Sequence, residues 1–294
     1  MNYTTIFTDL DDFRSYADGL QADTAYRQLH PSIRSTAMEM EKVITRAAFE
    51  AIASGSWAPA ATEEHPNPVA ISLTDGKELL KIALAAGTLY RYQIFTTIKR
   101  AGSEAALYKY QHEELKDTYI ENYWKAMDDL LDYLDEHPIV AGWGESTASK
   151  DRQLLPVRSA EEFHRYFGIN RSAFFYSKAL YLIRDVWAKL SPAVAGHTDN
   201  EKVMEAARKA LCYRVIAKVV ATWDLSEFPR CLRFDYNHEY TKGSSTASRE
   251  QLHLSLLAEA QAAEKEMESI KRHSAEGDAT GNSNVESDKF YFSI

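Results

Sequence analysis

Apolar positions recur at helical period along most of this chain. From about Ser32 to Ser54, Ile33, Met40, Ile44, Ala47, Ala48 and Ala51 fall on one side of a helix. Leu79, Leu80, Ala83, Ala86, Tyr90 and Ile94 do the same after Thr74-Asp75-Gly76. A third helix is predicted over His112–Glu136, with Leu115, Tyr119, Tyr123, Met127, Leu130, Leu131 and Leu134. In the second half, Phe175, Ala179, Leu182, Val186 and Leu190 mark a helix over about Arg171 to Leu190. Val203, Ala207, Ala210, Leu211, Ile216 and Val220 mark the next, after Thr198-Asp199-Asn200. Leu252, Leu256, Leu257, Ala260 and Met267 mark the last, from about Ser248 to His273. Strand-like alternation is weak, and it is confined to Ala106–Tyr110 and Cys231–Tyr236, which read as short extended segments.

The two halves of this pattern resemble each other. Asp9-Leu10-Asp11-Asp12-Phe13-Arg14-Ser15-Tyr16 returns as Ser159-Ala160-Glu161-Glu162-Phe163-His164-Arg165-Tyr166. The same offset pairs Tyr26 with Tyr176, Ile33 with Ile183 and Arg34 with Arg184. Thr74-Asp75-Gly76 then matches Thr198-Asp199-Asn200, and Tyr110-Gln111-His112-Glu113 matches Tyr236-Asn237-His238-Glu239. Both copies open on a helix-start signal, Asp9-x-x-Asp12 and Ser159-x-x-Glu162, in which a short side chain caps the first turn and an acid reaches back. The expected fold is mainly α: two tandem related helical modules, 1–137 and 156–274, packed as helical bundles and joined by a connector over 138–155. Duplicated helical modules mostly build surfaces and assemblies.

The copies differ most at 55–73. The offset between them shortens across this stretch, which holds Pro59, Pro66 and Pro68. An irregular insertion of that length reads as a contact arm. The end of the chain differs in composition as well. Residues 275–294 begin with Gly, Asn, Ser and acids, which read as a flexible linker, and finish with Lys289-Phe290-Tyr291-Phe292-Ser293-Ile294. An aromatic cluster after a polar linker is costly to leave in water, so the peptide is expected to dock on its own domain or on a neighbour. The expected interface residues are therefore Trp57, Pro59, Pro66, Phe290, Tyr291, Phe292 and Ile294.

Composition agrees with a helical protein that has a real core. Of 294 residues, 45% are hydrophobic, with 17 Tyr, 12 Phe and 5 Trp, while Gly (12) and Pro (8) are sparse. No apolar run approaches the roughly 20 residues of a membrane span. The first residues lack the basic and apolar regions of a signal peptide. Cys212 and Cys231 form no CxxC pair, and a reducing site of synthesis is expected. The net charge is −9 and unevenly spread: −9 over residues 1–150, +4 over 151–244 and −4 over the remainder. An acidic balance argues against general binding to a phosphate backbone. Opposite signs in the two halves would favour head-to-tail contact between copies.

Candidate chemistry is sparse. Glu161-x-x-His164 and Glu250-x-x-His253 have the spacing used in di-iron carboxylate bundles, which defines an alternative reading as a metal-dependent helical enzyme. Against it, Glu161 lies in a first helical turn, where acids are favoured anyway, and its repeat counterpart Asp11-x-x-Arg14 offers no second ligand. The paired His112-Glu113 and His238-Glu239 suit either a symmetric proton-transfer or metal pair or a repeated turn. Asp128, Asp129, Asp132, Asp135 and Glu136 crowd a helix end, where they could attract a basic partner or a cation or form a solvated face. Gly142-Trp143-Gly144 is not a phosphate loop, and the chain has no nucleophile elbow, HExxH, kinase set or zinc-finger spacing. No catalytic residue, metal or cofactor is expected.

Tyr108-Lys109-Tyr110-Gln111-His112-Glu113-Glu114-Leu115-Lys116 running into Tyr119–Tyr123, together with Ser159–Phe163, Ile169–Ser172 and Ile183–Val186, resembles an uncharacterised helical family of Bacteroidetes phages and prophages. The resemblance covers most of residues 5–240. It implies a structural protein of a tailed phage: a head-to-tail connector, or ring component of the neck, that acts through protein–protein contact. It also implies a homo-oligomer, portal or other neck and tail proteins as partners, passage of DNA without specific binding, and a place in the virion after assembly in the bacterial cytoplasm. A helical adaptor unrelated to virions is a further alternative.

Overall fold

A computed structural model describes residues 2–17, 20, 24–60, 68–100, 109–224, 227, 228, 232 and 245–280. The chain is mainly helical: α1 Leu10–Arg14, α2 Tyr26–Ile44, α3 Arg46–Ser54, α4 Thr74–Arg100, α5 Lys109–Glu136, α6 Thr147–Gln153, α7 Ala160–Tyr166, α8 Ala173–Val194, α9 Glu201–Thr222 and α10 Ser245–Thr280. Two-residue strands β1 (Ser56–Trp57) and β2 (Ile71–Ser72) interrupt it. The chain divides into two compact units. Unit 1 is Met1–Leu154 with Asn170–Lys178, and unit 2 is Leu155–Ile169 with Ala179–Ile294.

In unit 1, α4 packs along α5 and α2. The contact stripe follows from spacing: Leu29, Ile33, Ala37, Met40 and Ile44 of α2 are fully buried, as are Leu80, Ala83 and Leu84 of α4 and Met127, Leu130, Leu131 and Leu134 of α5. Glycine permits the closest approaches. A Cβ on Gly87 would lie 2.6 Å from Thr36 Cγ2 and 2.9 Å from the Tyr123 ring, and one on Gly76 would lie 2.5 Å from the Tyr133 ring. In unit 2, α9 packs along α10. Val194 of α8, Val203, Met204, Ala206 and Ala207 of α9, and Met267 of α10 form one apolar cluster.

The helix-start signals are used alike in both copies. Asp9 accepts from the amides of Asp11 and Asp12 while Asp12 accepts from the Thr8 amide at 2.8 Å. Ser159 accepts from the Glu162 amide at 3.1 Å while Glu162 accepts from the Arg158 amide at 2.6 Å. Three amides are satisfied at the first start and two at the second, in the reciprocal manner of a capping box. Phe13 and Phe163, and likewise Ile33 and Ile183, are fully buried.

Several expected boundaries differ. The stretch 32–54 is two helices, because Thr45 adopts φ 68°, ψ 150° and caps α3 by accepting from the Ala48 amide. Of the segment 138–155, expected as a connector, all but Leu155 falls in unit 1. Its 3₁₀ turn Val140–Glu145 buries Val140 and Trp143, and Trp143 Nε1 donates to Asp135 at 2.7 Å. Asn170–Lys178, expected in the second module, also belongs to unit 1. Lys109 and Tyr110 are helical, as is Leu232; the rest of the two expected extended segments lies outside the described residues. α10 continues to Thr280, past residue 275 where the linker was expected to begin.

Candidate interaction site

The insertion at 55–73 stands on a fixed foot. α3 ends at Gly55, whose left-handed conformation (φ 77°) suits glycine and turns the chain out of the helix. The Gly55 amide closes on Ile52 O at 2.9 Å, and Gly55 O accepts from the Leu73 amide at 2.9 Å. Ser56 pairs with Ser72 and Trp57 with Ile71 in antiparallel register. The Ser54 hydroxyl donates to Ala51 O at 2.7 Å and Ser56 O at 2.6 Å, while Ser72 and Thr74 share a hydroxyl hydrogen bond at 2.9 Å. Leu73 is fully buried below, so the two limbs leave the core from an anchored base.

Above that base the limbs are apolar and turned to solvent. Trp57 is half-buried; Ala58, Pro59 and Ala60 are exposed. On the return limb, Pro68 and Ile71 are half-buried, Ala70 is exposed and Val69 is 85% exposed. Adjacent exposed apolar residues on a fixed foot are what a protein contact buries. Pro66, Phe290, Tyr291, Phe292 and Ile294 lie outside the described residues. Val69 was not singled out from the sequence; the only signal was an apolar residue in a proline-rich stretch, and its exposure is a property of the fold.

Two of the other candidates, His164 and His253, bond to the backbone. His164 Nδ1 accepts from the Ile169 amide at 3.1 Å, closing the turn after α7, and His253 Nδ1 lies 2.8 Å from Ala217 O, tying α10 to α9. Glu161, His164, Glu250 and His253 are not brought together, and among the described residues no three His, Cys, Asp or Glu side chains could hold a metal ion. The His112 side chain and His238 lie outside the described residues. Cys212 is a buried free thiol whose pKa burial raises well above the ordinary value.

The acidic cluster of α5 is divided among separate tasks. Asp135 receives Trp143 Nε1 on one oxygen and Arg152 Nη1 on the other, at 2.9 Å. Asp128 Oδ1 accepts from the Phe174 amide at 2.7 Å and the Ser172 hydroxyl at 2.9 Å, and so caps the start of α8. Burial pushes the Asp128 carboxyl up; those two donors pull it part of the way back, Asp132 and Asp129 raise it further, and it settles at about 6.

Compared with protein-family models, curated proteins and solved structures, the chain finds no match. Among the described residues, no helix is long and apolar enough to cross a membrane.

Proposed function

We propose that the protein is an assembly component that acts through protein–protein contact, and that its setting is the head-to-tail connector or neck ring of a tailed phage or prophage. The supporting observation is the apolar, solvent-facing pair of limbs above the β1–β2 foot, Trp57–Ala60 and Pro68–Ile71. The phage setting comes from the sequence resemblance. In that setting the limbs engage a neighbouring copy, a portal or another neck or tail protein.

Burying Val69 at such a contact contributes about 1.5–3 kcal/mol, which is roughly tenfold to a hundredfold in affinity for each site. Val69→Asp changes a side chain that is 85% exposed in the free chain. It should leave circular dichroism and melting unchanged and weaken self-association in sedimentation velocity by at least about tenfold. Mass spectrometry of induced, purified particles supplies the setting: the wild-type chain should be present at a fixed ratio to the portal, and Val69→Asp should be depleted. Unchanged association of the variant would overturn the arm as a contact, and absence of the wild-type chain from intact particles would overturn the connector role.

A further inference from the structure

Unit 2 contains a cleft of about 420 Å³ along α8, α9 and α10. Val186, Leu190, Leu257 and Met267 give it an apolar floor, and Lys189 and Lys218 stand on one rim. Both lysines reach the single carboxylate of Asp185, Lys189 at 3.1 Å, so that rim keeps an excess of positive charge. The remaining charges in the lining are matched: Arg214 makes a two-pronged contact with Glu264, and Glu268 accepts from Lys271 at 2.7 Å. The cleft therefore suits an apolar segment flanked by acids.

Such a segment follows in the same chain. α10 ends at Thr280, and the next residues include Glu286 and Asp288 ahead of Lys289-Phe290-Tyr291-Phe292-Ser293-Ile294. In an extended conformation Phe290, Phe292 and Ile294 share one face while Lys289, Tyr291 and Ser293 share the other. That alternation matches a floor that is apolar and a mouth that is wet. The reach is sufficient. Met267 lies ~20 Å back along α10 from Thr280, and nine extended residues, 281–289, span up to ~30 Å. Unit 1 offers a precedent. After its closing helix α5, the chain turns back and buries Val140 and Trp143, with Trp143 bonded to Asp135 of that same helix.

We propose that Phe290–Ile294 docks in this cleft of its own chain, with Phe290 and Phe292 on the floor and Glu286 and Asp288 toward Lys189 and Lys218. The proposal is independent of the phage setting. The test uses the full chain with benzoylphenylalanine in place of Phe292, irradiated and mapped by mass spectrometry. The expected products are cross-links within one chain to peptides holding Leu190, Leu257 or Met267, in a yield independent of protein concentration. Leu257→Glu should cut that yield by about tenfold or more with circular dichroism unchanged. Lys189→Glu, on the exposed rim, should lower it severalfold without touching the core. Cross-links between chains, cross-links to another surface, no cross-linked peptide, or a yield indifferent to both variants would each overturn the proposal.

Discussion

Asp128→Asn isolates one buried charge. The carboxyl caps α8 through the Phe174 amide and the Ser172 hydroxyl, and burial, opposed by those two donors and reinforced by Asp132 and Asp129, leaves its pKa at about 6. In the unfolded chain an aspartate titrates near 3.9. A folded pKa above the unfolded one gives stability that is complete below about pH 4 and lost as the pH rises through about 6. The difference of about two pH units corresponds to roughly 3 kcal/mol between protonated and ionised forms. Asparagine keeps an oxygen for both donors and removes the ionisation. It forfeits the attraction of a carboxylate to the start of α8, about 0.3–1 kcal/mol, and leaves a new amide N–H to satisfy, about 1 kcal/mol. The variant should therefore be about 1–2 kcal/mol more stable than wild type at ~pH 7.5 and about equal to it at ~pH 4.5. Urea unfolding at both pH values measures this, with an unchanged slope confirming that the same surface is exposed. A variant less stable at the higher pH, or a difference that does not change with pH, would refute the argument.

Two further outcomes are expected from packing and charge. Gly87→Ala should destabilise by about 1–2 kcal/mol, because pressing on stiff, buried Thr36 and on Tyr123 outweighs the ~1 kcal/mol that alanine adds to a helix; thermal melting checks the sign. Lys81→Met should cost about 3 kcal/mol, since Lys81 Nζ lies 3.0 and 3.1 Å from the two oxygens of Asp12 and leaves that carboxylate unmatched when removed, and adding Asp12→Asn should restore most of the loss. Burial alone would raise Asp12, but the Thr8 amide and Lys81 hold it below the usual carboxylate range, so wild type should lose this stabilisation as the pH falls through that lowered pKa, and a Lys81→Met acid titration should show a smaller loss.

The helices, their caps and their buried faces were legible because each rests on local spacing. Asp9 with Asp12 and Ser159 with Glu162 announce themselves within four residues. The break at Thr45 was hidden because apolar periodicity runs on from Ile44 to Ala48 across it. The packing of 138–155 was hidden for a different reason: Trp143 and Arg152 find Asp135 on a preceding helix, and no local pattern records that meeting. The start of α8 is held by Asp128, distant in sequence, and no local pattern records that contact either. For the candidate site, prolines and the shortened repeat offset marked the insertion. Its anchored foot and the exposure of Val69 came only from the fold.

The allotment of Asn170–Lys178 to unit 1 bears on how the chain can be divided. Phe174, Phe175 and Tyr176 are buried there, with Phe174 set edge-on against Tyr123 and Trp124, while the rest of the same helix serves unit 2. A cut after Leu154 would strip unit 1 of those aromatic residues, and a cut after Lys178 would divide α8 itself. Neither unit can be lifted out of the chain as one continuous fragment, so any attempt to produce them apart has to supply the missing piece of α8 in trans.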